Sequence, residues 1–204
     1  MLIKSQNHTV YAIVLSMITT IIFDYYGVFQ LDIYVEWLTR NGFERNGIFD
    51  VLAKQLDHGE ITRDEFAAKL SSIIQRPVSY EEIYSPSVTI DKSMVELAKN
   101  LHRSYKLGLL SNASKDLRQK LNENNIDNLF NVITISSEVG VAKPESEIYE
   151  LTLKKLASSA HETLYIDDNA RYLLPAESLG METVHFTTTE DLNKSLREKN
   201  ITLT

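Results

Sequence analysis

The stretch TTIIFDYYGVF, residues 19–29, runs through β-branched and apolar residues and then stops at Asp24. A carboxylate delivered to the end of a buried strand can attack phosphorus or carbon, forming a covalent intermediate that water then hydrolyses. Two more carboxylates, Asp167 and Asp168, are adjacent in TLYIDDNA. Side by side they repel each other unless positive charge sits nearby. Mg2+ is the economical answer, being hard, octahedral and usually held by one or two carboxylates together with substrate phosphate. Ser111 and Asn112 in LLSNAS, and Lys143 in GVAKPES, add polar groups and a cation. Chemistry with this set requires four distant segments to converge.

The hydrophobic pattern supplies elements that bring them together. Residues 19–24 read as a strand buried on both faces. LDIYVEWLTR, GIFDVLAKQLD and TRDEFAAKLSSII each carry apolar residues at helical spacing, so residues 31–105 read as nearly all helix. Thr62 and Glu65 have the spacing of a capping box. RPVSYEEIYSPSV reads as a proline-marked connection, and DKSMVELAKNLHRS as a further amphipathic helix.

From Lys106 the rhythm is strand, loop, helix: KLGLLSN, SKDLRQKLNEN, NVITIS, PESEIYELTLKKLA, TLYID, ARYLLPAESLG, ETVHF and TEDLNKSLREK. Pro144 takes a first-turn position. Such alternation predicts an α/β fold, a Rossmann-like parallel sheet with helices on both faces, plus a small all-helical insertion after the first strand. Ligands in these sheets sit beyond the carboxyl ends of the strands, where Asp24, Ser111–Asn112 and Asp167–Asp168 all fall.

A chain of 204 residues supports one sizeable core with a small insertion. Its net charge of -7 would repel nucleic acid and anionic membrane surfaces, so neither is expected as a partner. The absence of cysteine excludes disulfides, thiolate nucleophiles and zinc-thiolate sites, and fits a cytoplasmic protein. TVYAIVLSMITTIIF is too short for a membrane span, and removing it as a signal peptide would delete the Asp24 strand. The preferred reading is Met17 as the functional start, with Met1 to Ser16 an upstream extension; Met1 is the alternative start. The five histidines are scattered without ligand spacing. Tyr34, Trp37 and Phe49 read as packing within the insertion, with one of them free to face substrate.

FDYYGV, LLSNAS, VAKPESEIY and LYIDDNARYLLPAESLGM match, in order and approximate spacing, the four motifs of the haloacid dehalogenase-like hydrolases. The resemblance spans residues 19–186 and is strongest to the branch with a small helical cap, which includes the N-terminal phosphatase domain of soluble epoxide hydrolases. It implies an N-terminal extension over 1–18, a core over 19–30 and 91–204, and a cap over 31–90. It also implies that Asp24 is the nucleophile and that Ser111 and Asn112 donate hydrogen bonds to the transferring group. Lys143 would neutralise charge and restrain Asp24. Mg2+ would be held by Asp24, Asp168 and the backbone carbonyl of Tyr26, with Asp167 acting through water or as an alternate ligand. The implied substrate is a small phosphorylated metabolite, and the implied state a monomer or homodimer.

Two positions depart from the resemblance. Phosphatases of the family carry an aspartate two residues after the nucleophile, which protonates the leaving group and then activates water. This chain has Tyr26, a phenol able to donate a proton but a poor base at neutral pH. Where relatives often carry Asn or Asp four residues after the second aspartate, this chain has Tyr172. Tyrosine at the first position is what 2-haloacid dehalogenases show, yet those enzymes lack the paired aspartates and use a cap arginine with no evident counterpart here. The expectation is a Mg2+-dependent phosphomonoester hydrolase weakened by Tyr26. The alternatives are a non-catalytic descendant that binds a ligand or partner, and a metal-independent dehalogenase.

Overall fold

The computed structural model describes residues 17–84 and 89–202. Strand β1 (Thr20–Phe23) is followed by four helices: α1 (Ile33–Arg40), α2 (Gly47–Asp57), α3 (Arg63–Ile74) and α4 (Tyr80–Tyr84). Helix α5 (Lys92–His102) leads into β2 (Lys106–Ser111), α6 (Asp116–Glu123), β3 (Val132–Ile135) and a single turn, α7 (Ser136–Val139). The chain continues through α8 (Ser146–Leu156), β4 (Thr163–Asp167), α9 (Ala170–Ser178), β5 (Glu182–His185) and α10 (Thr189–Glu198).

All five strands are parallel, in the order β3-β2-β1-β4-β5. Side chains alternate across the sheet as its pleat requires. Ile21, Phe23, Leu107, Leu109, Leu164 and Ile166 face one hydrophobic cluster, closed by α5, α6 and α10. Ile22, Leu110 and Tyr165 face the other, closed by α8 and α9. The expected parallel sheet with helices on both faces is what the chain forms. Among the described residues no helix is long and apolar enough to cross a membrane.

The inserted helices have a cluster of their own, built from residues such as Tyr34, Trp37, Phe49, Leu56, Phe66 and Ile83. Asp32 caps α1 through the Tyr34 and Val35 amides, and Thr62 and Glu65 form the expected capping box on α3. Two local readings differ from the structure. The proline-marked connection contains a short helix, α4, whose Ile83 is buried against the insertion cluster. Pro144 lies before the Glu145 cap of α8 rather than in its first turn. The upstream extension before Met17 lies outside the described residues.

Candidate active site

The central strand β1 has β2 on one side and β4 on the other, so the chain's connections diverge at its carboxyl end. That switch point opens a crevice, and Asp24 is the first residue beyond the strand. The Asp24 amide donates to the Ile166 carbonyl at 2.9 Å, which continues the ladder one residue past β1 and fixes the carboxylate beside the end of β4. The Tyr25 amide donates to Asp24 Oδ1 at 2.6 Å.

Lys143, only 1% exposed, organises the centre. Its Nζ lies 2.9 Å from Asp24 Oδ2 and 2.7 Å from Asp167 Oδ2. It also sits 4.8 Å from the centroid of the Tyr172 ring, whose face is attractive to a cation. Burial alone would lower the lysine's pKa, but Asp167 and Asp24 reverse this and hold it firmly charged. The lysine backbone is bracketed by one side chain: its amide donates to Asn112 Oδ1 at 2.8 Å, and Asn112 Nδ2 donates to its carbonyl at 2.9 Å. Asn112 thus joins the end of β2 to the loop before α8.

Asp167 accepts three hydrogen bonds. Its Oδ2 accepts from Lys143 and from the Tyr165 hydroxyl, and its Oδ1 accepts from the Asn169 amide at 2.8 Å. Asp168 is the more open of the pair to solvent, though partly desolvated, and its carboxylate lies against the α-carbon of Gly27. A β-carbon on Gly27 would meet that carboxylate at 2.1 Å, and the glycine's φ of +84° disfavours any other residue as well. Oxygens of Asp24, Asp167 and Asp168 all lie within 4.8 Å of one another. Burial raises Asp24 well above the usual carboxylate range, Lys143 opposes this, and Asp167 and Asp168 add repulsion. Burial and the charge of Asp167 push Asp168 up to about 6. Such a hard, oxygen-rich, negatively charged set could hold a divalent cation, with Asp24 and Asp168 the members whose oxygens are least committed.

These groups open onto a cavity of about 370 Å³. Asp24, Tyr26, Asn112, Lys143, Asp168 and Tyr172 line the sheet side. Ser111 does not line it; its hydroxyl is fully buried and has no hydrogen-bond partner among the described residues. Burial raises the Tyr26 phenol well above its ordinary pKa, with Tyr25, Tyr80, Asp32 and Asp57 adding to the effect, so it keeps its proton at neutral pH. Tyr172 is raised by burial too.

The opposite wall comes from the inserted helices, and apart from Tyr34 its residues were not legible in the sequence. Asp32, Arg45 and Asp57 line it, together with Tyr34, Tyr80 and Tyr84. Arg45 lies 2.9 Å from Asp32, 3.7 Å from Asp57 and 3.8 Å from Asp50. An arginine therefore does face the cavity from the insertion, where sequence reading found no counterpart. Of the three aromatics expected to pack within the insertion, Trp37 and Phe49 do so, and Tyr34 both packs and reaches the cavity wall. The expected scatter of histidines holds where it can be seen: His58 and His185 meet Glu145 and the Asp168 carbonyl, and His8 lies outside the described residues.

The profile described as haloacid dehalogenase-like hydrolase matches residues 36–186, beginning downstream of Asp24. The chain is 29% identical over 140 residues to the sesquiterpene phosphatase astK of Aspergillus oryzae, a stretch covering 66% of this chain and 71% of the relative. It is 24% identical over 191 residues to the D-ribitol-5-phosphate phosphatase of Bacteroides thetaiotaomicron, covering 82% and 91% respectively. A HAD family enzyme of the same bacterium, solved in complex with magnesium and inorganic phosphate, superposes with a TM-score of 0.65 at 24% identity, over 83% of this chain and 94% of that one. The chain belongs to the haloacid dehalogenase-like hydrolases.

Proposed function

We propose that this hydrolase cleaves the phosphate monoester of a small metabolite, using Mg2+ and Asp24 as nucleophile. The observation that carries the reading is the single carboxylate at the end of β1, held 2.9 Å from a buried, charged lysine and grouped with Asp167 and Asp168. The phosphatase names of the relatives support it, as does the relative's complex with magnesium and phosphate.

Asp24 and Asp168, with the Tyr26 carbonyl, would hold the cation, and Asp167 serves as the anchor of Lys143. When bound, Mg2+ would neutralise charge on the phosphoryl oxygens. Lys143 adds positive charge beside Asp24 and keeps it aimed. Asp24 attacks phosphorus, the ester oxygen departs, and water then hydrolyses the aspartyl-phosphate. Asn112 has one amide hydrogen beyond those committed to Lys143 and lines the cavity, so it can meet a phosphoryl oxygen. The Ser111 hydroxyl, expected to be a second donor, is buried behind this wall, so Asn112 makes the contact. Positioning and charge stabilisation of this sort make up most of phosphoryl-transfer catalysis.

In the same reading residues 31–90 form a cap over a core of 19–30 and 91–204. Its tyrosines line the part of the cavity that would receive the leaving group. Arg45 in the cavity and Tyr26 are what would favour a 2-haloacid dehalogenase instead. The fit of Asp168 against Gly27 argues for the metal site. Hydrolysis of a panel of small phosphate esters, with Mg2+ and with chelator, separates the two. Turnover that needs both Mg2+ and Asp24 supports the phosphatase. Chelator-insensitive halide release from 2-chloropropionate, lost in Asp24→Asn, would replace it.

A further inference from the structure

The phosphatase reading leaves one task unassigned, because the residue two places after the nucleophile is Tyr26. A departing alkoxide needs a proton, and the water that follows needs a base. Tyr26 is pushed away from both duties, since burial strengthens its hold on its proton.

Asp24 is the nucleophile, and Asp168 lies against Gly27 in the cation site. Lys143 is locked between two carboxylates. Arg45 does not release a proton at any working pH. Asp32 is committed twice over, accepting from the Tyr34 and Val35 amides on Oδ1 and from Arg45 on Oδ2 at 2.9 Å. Tyr34 and Tyr84 are raised by burial as Tyr26 is, and Tyr80 and Tyr172 likewise. Among the described lining residues none is a histidine.

That leaves Asp57. It is the last residue of α2, at the negative end of the helix dipole, where a carboxylate is disfavoured and a carboxyl tolerated. Arg45 stands 3.7 Å from its Oδ2, beyond hydrogen-bonding distance, and spends its closer contact on Asp32. Its position relative to the reacting groups is set by two ties. Ser136 Oγ donates to the Asp57 carbonyl at 2.5 Å while accepting from the Ala113 amide at 3.0 Å, next to Asn112. The neighbouring His58 meets Glu145, two residues beyond Lys143, at 3.2 Å. The end of α2 is thereby clamped to both loops that carry the phosphate-facing residues.

We propose that Asp57, presented by the inserted helices across the cavity from Asp24, is the acid–base residue of this enzyme, replacing the aspartate that Tyr26 displaces. As Asp24 Oδ forms its bond to phosphorus and the P–O bond to the alcohol breaks, the Asp57 carboxyl gives its proton to the departing oxygen. Water then adds to phosphorus, its proton goes to the Asp57 carboxylate, and the P–O bond to Asp24 breaks. Phosphate leaves, and both aspartates are back in their starting states. Burial pushes the Asp57 carboxyl up to about 7, with Asp32 and Asp50 adding and Arg45 and Lys143 opposing. Tyr26, Tyr34, Tyr80, Tyr84 and Tyr172, which share the cavity, stay neutral around it. A value near the working pH is what acid and base duty in one cycle requires.

The proposal rests on the phosphatase reading, and the test keeps the two apart. Wild type, Asp24→Asn, Asp57→Asn, Asp57→Glu and the double variant Tyr26→Asp/Asp57→Asn are compared with Mg2+ on phenyl phosphate and para-nitrophenyl phosphate. The two esters have similar shape, but phenolate needs a proton far more than nitrophenolate does. Asp57→Asn is expected to lose about 10²–10⁴-fold in kcat on phenyl phosphate. On para-nitrophenyl phosphate it is expected to release one equivalent of nitrophenol in a burst and to accumulate phosphorylated Asp24. Asp57→Glu should keep part of the activity, and Tyr26→Asp should restore turnover in the Asp57→Asn background. Melting curves confirm that each variant is folded. An equal loss on both esters in the first turnover, before any phosphoenzyme is hydrolysed, a rise in KM with kcat unchanged, or no effect of Asp57→Asn would overturn the proposal and leave the phosphatase standing. If wild type hydrolyses neither ester, or Asp24→Asn remains active, the phosphatase reading falls and the proposal with it.

Discussion

Asn112 and Lys143 hold each other by a reciprocal pair of hydrogen bonds, 2.8 and 2.9 Å long, between one amide side chain and one backbone unit. Through this pair the loop after β2 fixes where the Lys143 side chain starts, and so where its ammonium sits between Asp24 and Asp167. Asn112→Ala removes both bonds at about 1 kcal/mol each. Because small misplacements of catalytic groups are costly, kcat is expected to fall by roughly 10-fold or more. Steady-state kinetics beside a urea melt would show it, and a variant with normal kcat would separate Asn112 from the placement of Lys143.

Lys143 neutralises two carboxylates that are buried with it. Lys143→Met leaves Asp24 and Asp167 unpaired in the interior, and breaking a buried pair in this way costs about 3–5 kcal/mol. The deficit depends on pH with a definite sign. Burial already raises Asp24, and removing the lysine that opposes this raises it further, so the variant regains stability as pH falls and Asp24 protonates. Denaturation in chelator at pH 7 and pH 5 should show the gap to wild type narrowing at the lower pH. A constant gap would mean that lost packing, not charge, dominates.

Gly27 is held by geometry on two counts, its φ of +84° and the carboxylate of Asp168 against its α-carbon. Gly27→Ala is expected to cost about 1–2 kcal/mol from the left-handed backbone alone. The methyl group must also displace Asp168, so Mg2+ affinity should drop at least 10-fold by titration calorimetry, a readout independent of turnover. Unchanged Mg2+ affinity would remove Asp168 from the cation site.

Asp57 gives a stability signature separate from its chemistry. Its carboxyl is raised to about 7, so the folded protein binds that proton more tightly than the unfolded chain, whose aspartates titrate near about 4. Ionised Asp57 therefore weakens the fold progressively as pH rises through this window. Asp57→Asn should melt higher than wild type at pH 8, with the advantage shrinking at pH 5. Lower stability of the variant at pH 8 would mean that its contact with Arg45 outweighs the burial of its charge.

The sequence by itself determined the sheet and the half of the site that the sheet carries. Continuous apolar runs marked β1, β2 and β4 as buried strands, and the polar residues that end them, Asp24, Ser111–Asn112 and Asp167–Asp168, fall at one edge because parallel strands share a direction. Local signals such as the Thr62–Glu65 capping box were legible for the same reason: partner and signal lie within a few residues. The other half depended on tertiary structure. Helical periodicity shows which face of α2 is apolar, but not what its last residue opposes. Only the docking of the inserted helices onto the loops after β2 and β3 brings Asp57 and Arg45 across from Asp24. The same holds for the hydrogen-bond partners of Asp167. Its actual partners, Lys143 and Tyr165, are set by packing: the first lies 24 residues away in the chain, and the second reaches the carboxylate with its hydroxyl from the same strand.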